Sequence, residues 1–210
     1  CGSLQAAGTL VLWLVHFQVM SKPCRKPLHN GSRAGRLRPE RTPSMDDIVK
    51  QALAKWPNVP DCYGWLGLDA RGDWYMRDDR VQAQGNFLQS KGSRLQHDKL
   101  IDFIGRNYEA DAQGRWYFQN GPQRVYVELE LTPWVWRLEP DGQIRSHTGQ
   151  LARMQRCYVD QQGRVYLETD LGFGLLHTQD VLQAASCIED GLWVAQDLDA
   201  ARMPEQFGYV

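Results

Sequence analysis

The chain has 210 residues, a formal net charge of −1 and 42% hydrophobic residues. Its charge is divided unevenly: residues 1–44 carry seven basic residues and one acidic residue, whereas residues 45–210 carry 17 basic and 24 acidic residues. The larger part is therefore acidic, which argues against nucleic-acid binding, because phosphate neutralisation needs concentrated basic side chains. Its length suits one domain with a substantial hydrophobic core.

The first 44 residues are predicted to lie outside the folded domain. Residues 22–44 are rich in proline, glycine, serine and arginine, without apolar periodicity, so this stretch cannot bury a core. We interpret residues 1–44 as a disordered or non-native N-terminal extension and Met45 as the natural start. Two alternatives stay open: residues 8–20 as a signal segment or anchor, and Cys1 as the lipid-bearing end of a bacterial lipoprotein. A membrane partner is expected only if residues 1–20 are a real anchor.

Three helices are predicted within residues 45–210, at 46–55, 98–106 and 178–189. The first two show apolar residues at helical spacing, and Asp46 and Asp47 complement the dipole of the first. The third is expected to begin at Thr178 as its N-cap and to stop at Gly191.

A repeated turn sequence divides the rest of the chain into hairpins. Asp-x-x-Gly occurs at 69–72, 111–114 and 160–163, and Glu-Pro-Asp-Gly occurs at 139–142. Glycine at the fourth position can adopt a positive φ and close a short hairpin. Replacement of Gly114 by valine is therefore expected to unfold its hairpin. The unequal spacing of the copies argues against a solenoid or propeller.

The strand pattern completes the fold prediction. Alternating residues predict a strand at 125–131, a second run follows at 134–136, and a last strand is expected at 192–196. Together these elements predict an α+β fold, with a mainly antiparallel, hairpin-rich sheet or open barrel and about three helices. We expect residues 45–210 to form this single domain.

Residues after the three Asp-x-x-Gly turns alternate between two faces of their strands. One phase, predicted to be core, holds Trp74, Trp116 and Val165. The opposite phase holds Tyr75, Tyr117 and Tyr166. With Trp65, we interpret these tyrosines as a ligand-binding surface that stacks on sugars, bases or quaternary amines. In the alternative interpretation, a helix covers this face and the tyrosines form a packing layer.

An enzyme with a β-sheet pocket is the alternative from another functional class. Its acid–base residues would be His147, Cys157 or the pair Glu128 and Glu130. No nucleophile motif accompanies them in the sequence. No metal or cofactor is expected, because no two histidines of this part lie four residues apart and residues 172–174 lack the third glycine of a phosphate-binding loop.

Cysteine usage indicates a reducing compartment. Residues 45–210 contain Cys62, Cys157 and Cys187, an odd number without a Cys-x-x-Cys motif. This pattern is typical of a cytoplasmic protein rather than a disulfide-stapled one.

Two resemblances follow from longer motifs. The segment 63–75, YGWLGLDARGDWY, resembles the Gly-Trp…Gly-x-Trp-Tyr-Tyr repeat of choline-binding cell-wall proteins, in which aromatic residues of adjacent hairpins cage choline. Here about one repeat is present in each of two places, and Met76 and Phe118 replace the second tyrosine. The stretch from Met45 to about Leu138 resembles an uncharacterised family of small proteobacterial proteins, a domain of unknown function. That resemblance implies a bacterial, cytoplasmic protein and no particular activity.

We therefore interpret the chain as a bacterial, non-catalytic binding or accessory module with an aromatic-bearing β-sheet. Its expected partner is another protein or a small ligand that stacks on aromatic rings.

Overall fold

The computed structural model describes residues 47–56 and 58–210, without the side chains of Ile48, Ala52 and Leu53. The predictions for residues 1–44 and for a natural start at Met45 fall outside the described residues.

Four of the hairpins are closed by the reverse turns that the sequence predicts. In each turn the glycine amide donates to the carbonyl of the first residue over 2.9–3.0 Å. The donors are Gly72, Gly114, Gly142 and Gly163, with φ between +75° and +84°. In the three Asp-x-x-Gly turns, Oδ1 of the aspartate also accepts two backbone amides from the residues that follow. Side chain and backbone therefore close each of these turns together.

Thirteen strands are present in the described residues. They are β1 Cys62–Leu68, β2 Trp74–Met76, β3 Ser93–Arg94, β4 Tyr108–Ala110, β5 Trp116–Asn120, β6 Gln123–Leu129, β7 Trp134–Leu138, β8 Ile144–Ser146, β9 Leu151–Ala152, β10 Met154–Asp160, β11 Val165–Thr169, β12 Gly172–Leu176 and β13 Ala195–Leu198. The last strand begins later than predicted because the amides of Leu192 and Trp193 both donate to the carbonyl of Cys187. These bonds continue the turn that ends the preceding helix.

All three predicted helices are present, and two short ones were missed. In the part of the chain that the structure describes, the helices are α1 Asp47–Lys55, α2 Asp79–Gln82, α3 Asp98–Arg106, α4 Val181–Glu189 and α5 Met203–Phe207. A 3₁₀ turn, Thr178–Asp180, leads into α4. Its cap is not Thr178 as predicted but His177, whose Nδ1 accepts the amide of Gln179 over 3.2 Å.

The strands form two sheets, in the orders β3-β2-β1-β6-β5-β4 and β13-β10-β11-β12-β7-β8-β9. Most neighbouring strands are antiparallel, so the predicted α+β, mainly antiparallel fold is confirmed. The strands divide between two sheets rather than lying in one, and both sheets are mixed. The pairs β1–β6, β7–β12 and β10–β13 are parallel. Parallel pairs join strands that are distant in sequence, and turn chemistry does not reveal them.

An aromatic core lies between the two sheets. The first sheet contributes Trp74, Tyr108 and Trp116, and the second contributes Trp134, with His147 just after β8. Ring centroids across the two sheets are 5.3–5.8 Å apart. The core predictions for Trp74 and Val165 are confirmed, since both are buried. Trp116 is only partly buried.

Candidate functional site

A two-residue irregularity interrupts the pairing of β1 with β6. Cys62 lies opposite Val125, but the next partners are Leu66 and Val127, so four positions on β1 span two on β6. Gly64 lies in this bulge with φ +78°, a conformation that L side chains rarely adopt. Bulges of this kind bend a strand and change the direction of its side chains.

A cleft of about 400 Å³ opens beside the bulge. Its lining comes from the bulge itself, from β6 and from the loop between α2 and β3, and includes Tyr63, Phe87, Leu88, Tyr126 and Glu128. Leu88 is 63% exposed at the mouth, whereas Phe87 is buried against the backbone of β1. The cleft is therefore mainly apolar, with a few polar groups, as small-molecule sites commonly are.

A stack of rings forms one wall of the cleft. Tyr63 and Tyr126 lie parallel within 2°, with centroids 4.6 Å apart. The guanidinium of Arg115 lies 4.7 Å from the centroid of Tyr126. Tyr126 is buried, but Tyr63 is 54% exposed. Tyr63 is thus the accessible end of the stack.

The carboxylate of Asp111, in the turn, binds two members of this stack, Arg115 and Tyr126. Its Oδ2 accepts from Nε of Arg115 over 2.8 Å and from the hydroxyl of Tyr126 over 3.0 Å. Desolvation acts to raise the pKa of Asp111, but the hydrogen bonds from Arg115, Gln113 and Tyr126 outweigh it and lower the pKa to about 2. The Asp-x-x-Gly turn therefore also positions side chains of the cleft.

A buried arginine ties the loop wall to the bulge. Arg77 is 1% exposed and donates to the carbonyls of Ser90 over 3.0 Å and Gly85 over 2.5 Å. Its Nη1 also contacts the carbonyl of Gly64 and pairs with Oε2 of Glu128. The loop between α2 and β3 and the bulge are thereby fixed to the same guanidinium.

The sequence comparisons place the chain in a family. A family model described as "Protein of unknown function (DUF2946)" matches residues 45–209. The chain belongs to this family, whose model carries the name DUF2944. The resemblance to an uncharacterised family is therefore confirmed, and the match extends well beyond residue 138.

Two crystal structures of DUF1285 family proteins are similar to part of this chain. The protein from Silicibacter pomeroyi DSS-3 has 13% identity and a TM-score of 0.43, covering 61% of this chain and 72% of its own. The protein from Shewanella baltica OS155 has 15% identity and a TM-score of 0.40, covering 59% of this chain and 91% of its own. No curated protein matches the chain significantly.

The predicted tyrosine surface is not an open face. Tyr166 is 0% exposed and Tyr117 is 5% exposed, so the expectation that both are on the surface is wrong. Tyr166 donates to Asp160 and packs in a cluster with Phe173 and Tyr209, next to Phe207 of α5. For this tyrosine the alternative of a packing layer under a helix is the correct one.

Of the other predicted ligand-binding residues, Tyr75 and Trp65 are intermediate in exposure and Tyr117 is buried. Tyr117 is covered by Arg124, whose guanidinium lies 4.8 Å from its ring centroid. Tyr75 is half-buried beside Phe87, and Trp65 is half-buried within the bulge. None of the four predicted residues lines the cleft.

Sequence reasoning missed Tyr63 and Tyr126, which do line it. A signal was available: Gly64 and Gly67 interrupt the strand CYGWLGL, and an isolated glycine in a strand indicates a bulge or a close approach. Gly67 allows that approach, because a Cβ there would lie 2.3 Å from the ring of Phe87.

The residues of the enzyme alternative do not come together in the cleft. His147 is fully enclosed, and burial lowers its pKa to about 3. Cys157 is 1% exposed, and burial raises its pKa to about 11. Glu130 pairs with Lys91 over 2.7 Å. Glu128 alone among them lines the cleft.

Two further features concern only residues 47–56 and 58–210. Within these ranges, no cluster of three or more histidine, cysteine or acidic side chains is arranged to hold a metal ion. No helix in this described part is both long and apolar enough to cross a membrane.

Proposed function

We propose that this member of the DUF2944 family is a non-catalytic binding module whose cleft beside the β1 bulge holds a small ligand stacked on Tyr63. The supporting observation is the exposed ring of Tyr63 at the end of the Tyr126–Arg115 stack, on the wall of a cleft of about 400 Å³. That volume lies in the range of about 300–1,000 Å³ that is usual for small-molecule sites.

The cleft is prepared for a ligand by groups that are already fixed. Arg77 binds both the bulge and the facing loop, and Asp111 holds Arg115 and Tyr126. Little side-chain freedom remains to be lost when a ring stacks on Tyr63, and this favours binding. Glu128 has none of the other enzyme candidates beside it in the cleft, which supports binding over catalysis.

We also propose a reducing cellular compartment for this protein. All three cysteines of the described residues, Cys62, Cys157 and Cys187, are free thiols. Free thiols are typical of reducing compartments, and we place the protein in the cytoplasm.

Titration of the full chain with benzothiophene, a bicyclic aromatic probe, tests the binding site. Backbone amide NMR shifts should move at Gly64, Val127 and Glu128. Tyr63→Phe should retain binding, and Tyr63→Ala should weaken it by about tenfold, because an aromatic pair contributes roughly 0.5–1.5 kcal/mol beyond burial.

Trp56→Ala is the matched control. Trp56 is an aromatic residue that is 46% exposed and does not line the cleft. Its removal should leave the titration unchanged. Equal weakening by Trp56→Ala and Tyr63→Ala, or shifts confined to other surfaces, would contradict the proposed site.

A further inference from the structure

The charged side chains that line the cleft, Arg115 and Glu128, are paired within the protein. Arg77 pairs with Glu128, and Arg115 pairs with Asp111 over 2.7 Å. Arg77 and Asp111 are the buried members of these pairs. Their more exposed partners, Glu128 and Arg115, therefore each already have a counter-ion. A fully charged ligand would meet no unpaired side-chain charge here, whereas an uncharged one avoids the cost of desolvating an ion.

One carboxylate oxygen of Glu128, a residue that lines the cleft, is still available. Oε2 of Glu128 is engaged by Arg77, but Oε1 has no hydrogen-bond partner among the described residues. The side chain of Glu128 is 37% exposed, and the residue lines the cleft. A carboxylate in an ion pair accepts hydrogen bonds and does not donate them. The complementary ligand group is therefore a donor.

The position of Tyr63 limits where that donor can be on the ligand. A ring stacked on Tyr63 uses its face for the stacking contact. Its hydrogen-bonding groups must then project from the ring edge, in the plane of the ring. A ring N–H has this geometry.

We infer that the ligand of the cleft is an uncharged planar heteroaromatic compound whose ring N–H donates to Oε1 of Glu128 while its face stacks on Tyr63. This inference rests on the proposed function and adds the chemical class of the ligand. It assigns Glu128 a binding role that is separate from its pairing with Arg77.

Indole and benzothiophene test the donor directly, because they are nearly equal in size and only indole carries a ring N–H. Both are titrated into the full chain, and the amide shifts at Gly64 and Val127 are followed by NMR. Indole should bind about tenfold more tightly, since a hydrogen bond to a charged group is stronger than a neutral one. The side-chain carboxyl carbon of Glu128 should shift with indole and not with benzothiophene.

Glu128→Gln gives the second comparison. If this variant fails to fold without the charge beside Arg77, the carboxyl shift of Glu128 in the wild-type chain still tests the inference. In the folded variant the preference for indole should fall to less than about threefold, because the charge-assisted bond is lost.

The outcomes separate the two proposals. If neither probe moves the cleft resonances, the proposed function is overturned and the inference falls with it. If both bind in the cleft with equal affinity, or if indole leaves the Glu128 carboxyl unchanged, only the donor inference is overturned.

Discussion

At the residue scale, His147 shows how burial fixes a protonation state. Its ring packs against Trp74, Tyr108 and Trp134, and its Nδ1 accepts the amide of Val135 over 3.3 Å. Desolvation lowers the pKa of His147 from 6.5 to about 3. The imidazole is therefore a neutral core group, and its position among aromatic rings explains why it was a poor candidate for acid–base chemistry.

The depressed pKa of His147 predicts a loss of stability in mild acid. The unfolded chain takes up a proton at this residue below about pH 6.5, but the folded chain does so only near pH 3. The contribution of His147 to the free energy of unfolding is therefore fully present above pH 6.5. It should fall by about 1.4 kcal/mol per pH unit between pH 6.5 and about pH 3. Urea unfolding measured from pH 7 to 4.5 gives this slope.

His147→Asn provides the control, because an amide oxygen can replace Nδ1 as acceptor without titrating. The variant should be less stable at pH 7 and show a smaller slope. His177, whose pKa burial also lowers, leaves a residual slope. An unchanged slope in His147→Asn would rule out His147 as its source.

At the element scale, one turn design serves different purposes. The turn at Gly142 faces open space, and a Cβ there would meet nothing within 4 Å. The turn at Gly114 is covered: its carbonyl accepts the amide of Val210, and a Cβ would lie 2.2 Å from the carbonyl oxygen of Gly208. The same sequence signal thus marks an isolated turn in one place and a packed turn in the other.

Alanine substitution at these two glycines should separate backbone strain from packing. Both residues have a positive φ, so Gly142→Ala should cost about 1–2 kcal/mol of unfolding free energy from strain alone. Gly114→Ala should cost distinctly more, because the backbone near Gly208 must also move. Thermal or urea unfolding of the two variants measures the difference, and equal costs would mean that the contact with Gly208 is unimportant.

At the scale of the whole molecule, the aromatic core makes the two sheets one structural unit. Tyr108, on the edge strand β4 of the first sheet, donates its hydroxyl to the carbonyl of Pro133 over 3.1 Å, just before β7 of the second. Burial places the pKa of this tyrosine well above its ordinary value. Trp116 and Trp134 pack edge to face beside it, with centroids 5.3 Å apart.

Tyr108→Phe should destabilise the protein without dividing it. The change keeps the ring but leaves the buried carbonyl of Pro133 without this donor, at a cost of about 1–3 kcal/mol. Because the ring still joins the sheets, unfolding followed by tryptophan fluorescence and by far-UV circular dichroism should stay a single, coincident transition. Two separate transitions would show that the hydroxyl bond itself couples the sheets.

The local sequence was sufficient for features whose cause is local. The four turns follow from aspartate or glutamate at the first position and glycine at the fourth, and α3 occupies the predicted 98–106 because its apolar residues repeat at helical spacing. Trp74 and Val165 were assigned to the core from alternation alone. The α+β class followed from the sum of these elements.

Tertiary structure decided which faces are covered and where a cleft opens. Alternation shows that Tyr166 and Val165 point to opposite sides of a strand, but it cannot show that α5 and Tyr209 pack on the tyrosine side as well. Parallel pairing of β1 with β6 joins positions about 60 residues apart, and its register shift at Gly64 creates the bulge. The cleft arises from these long-range contacts, because no single segment contains both of its walls.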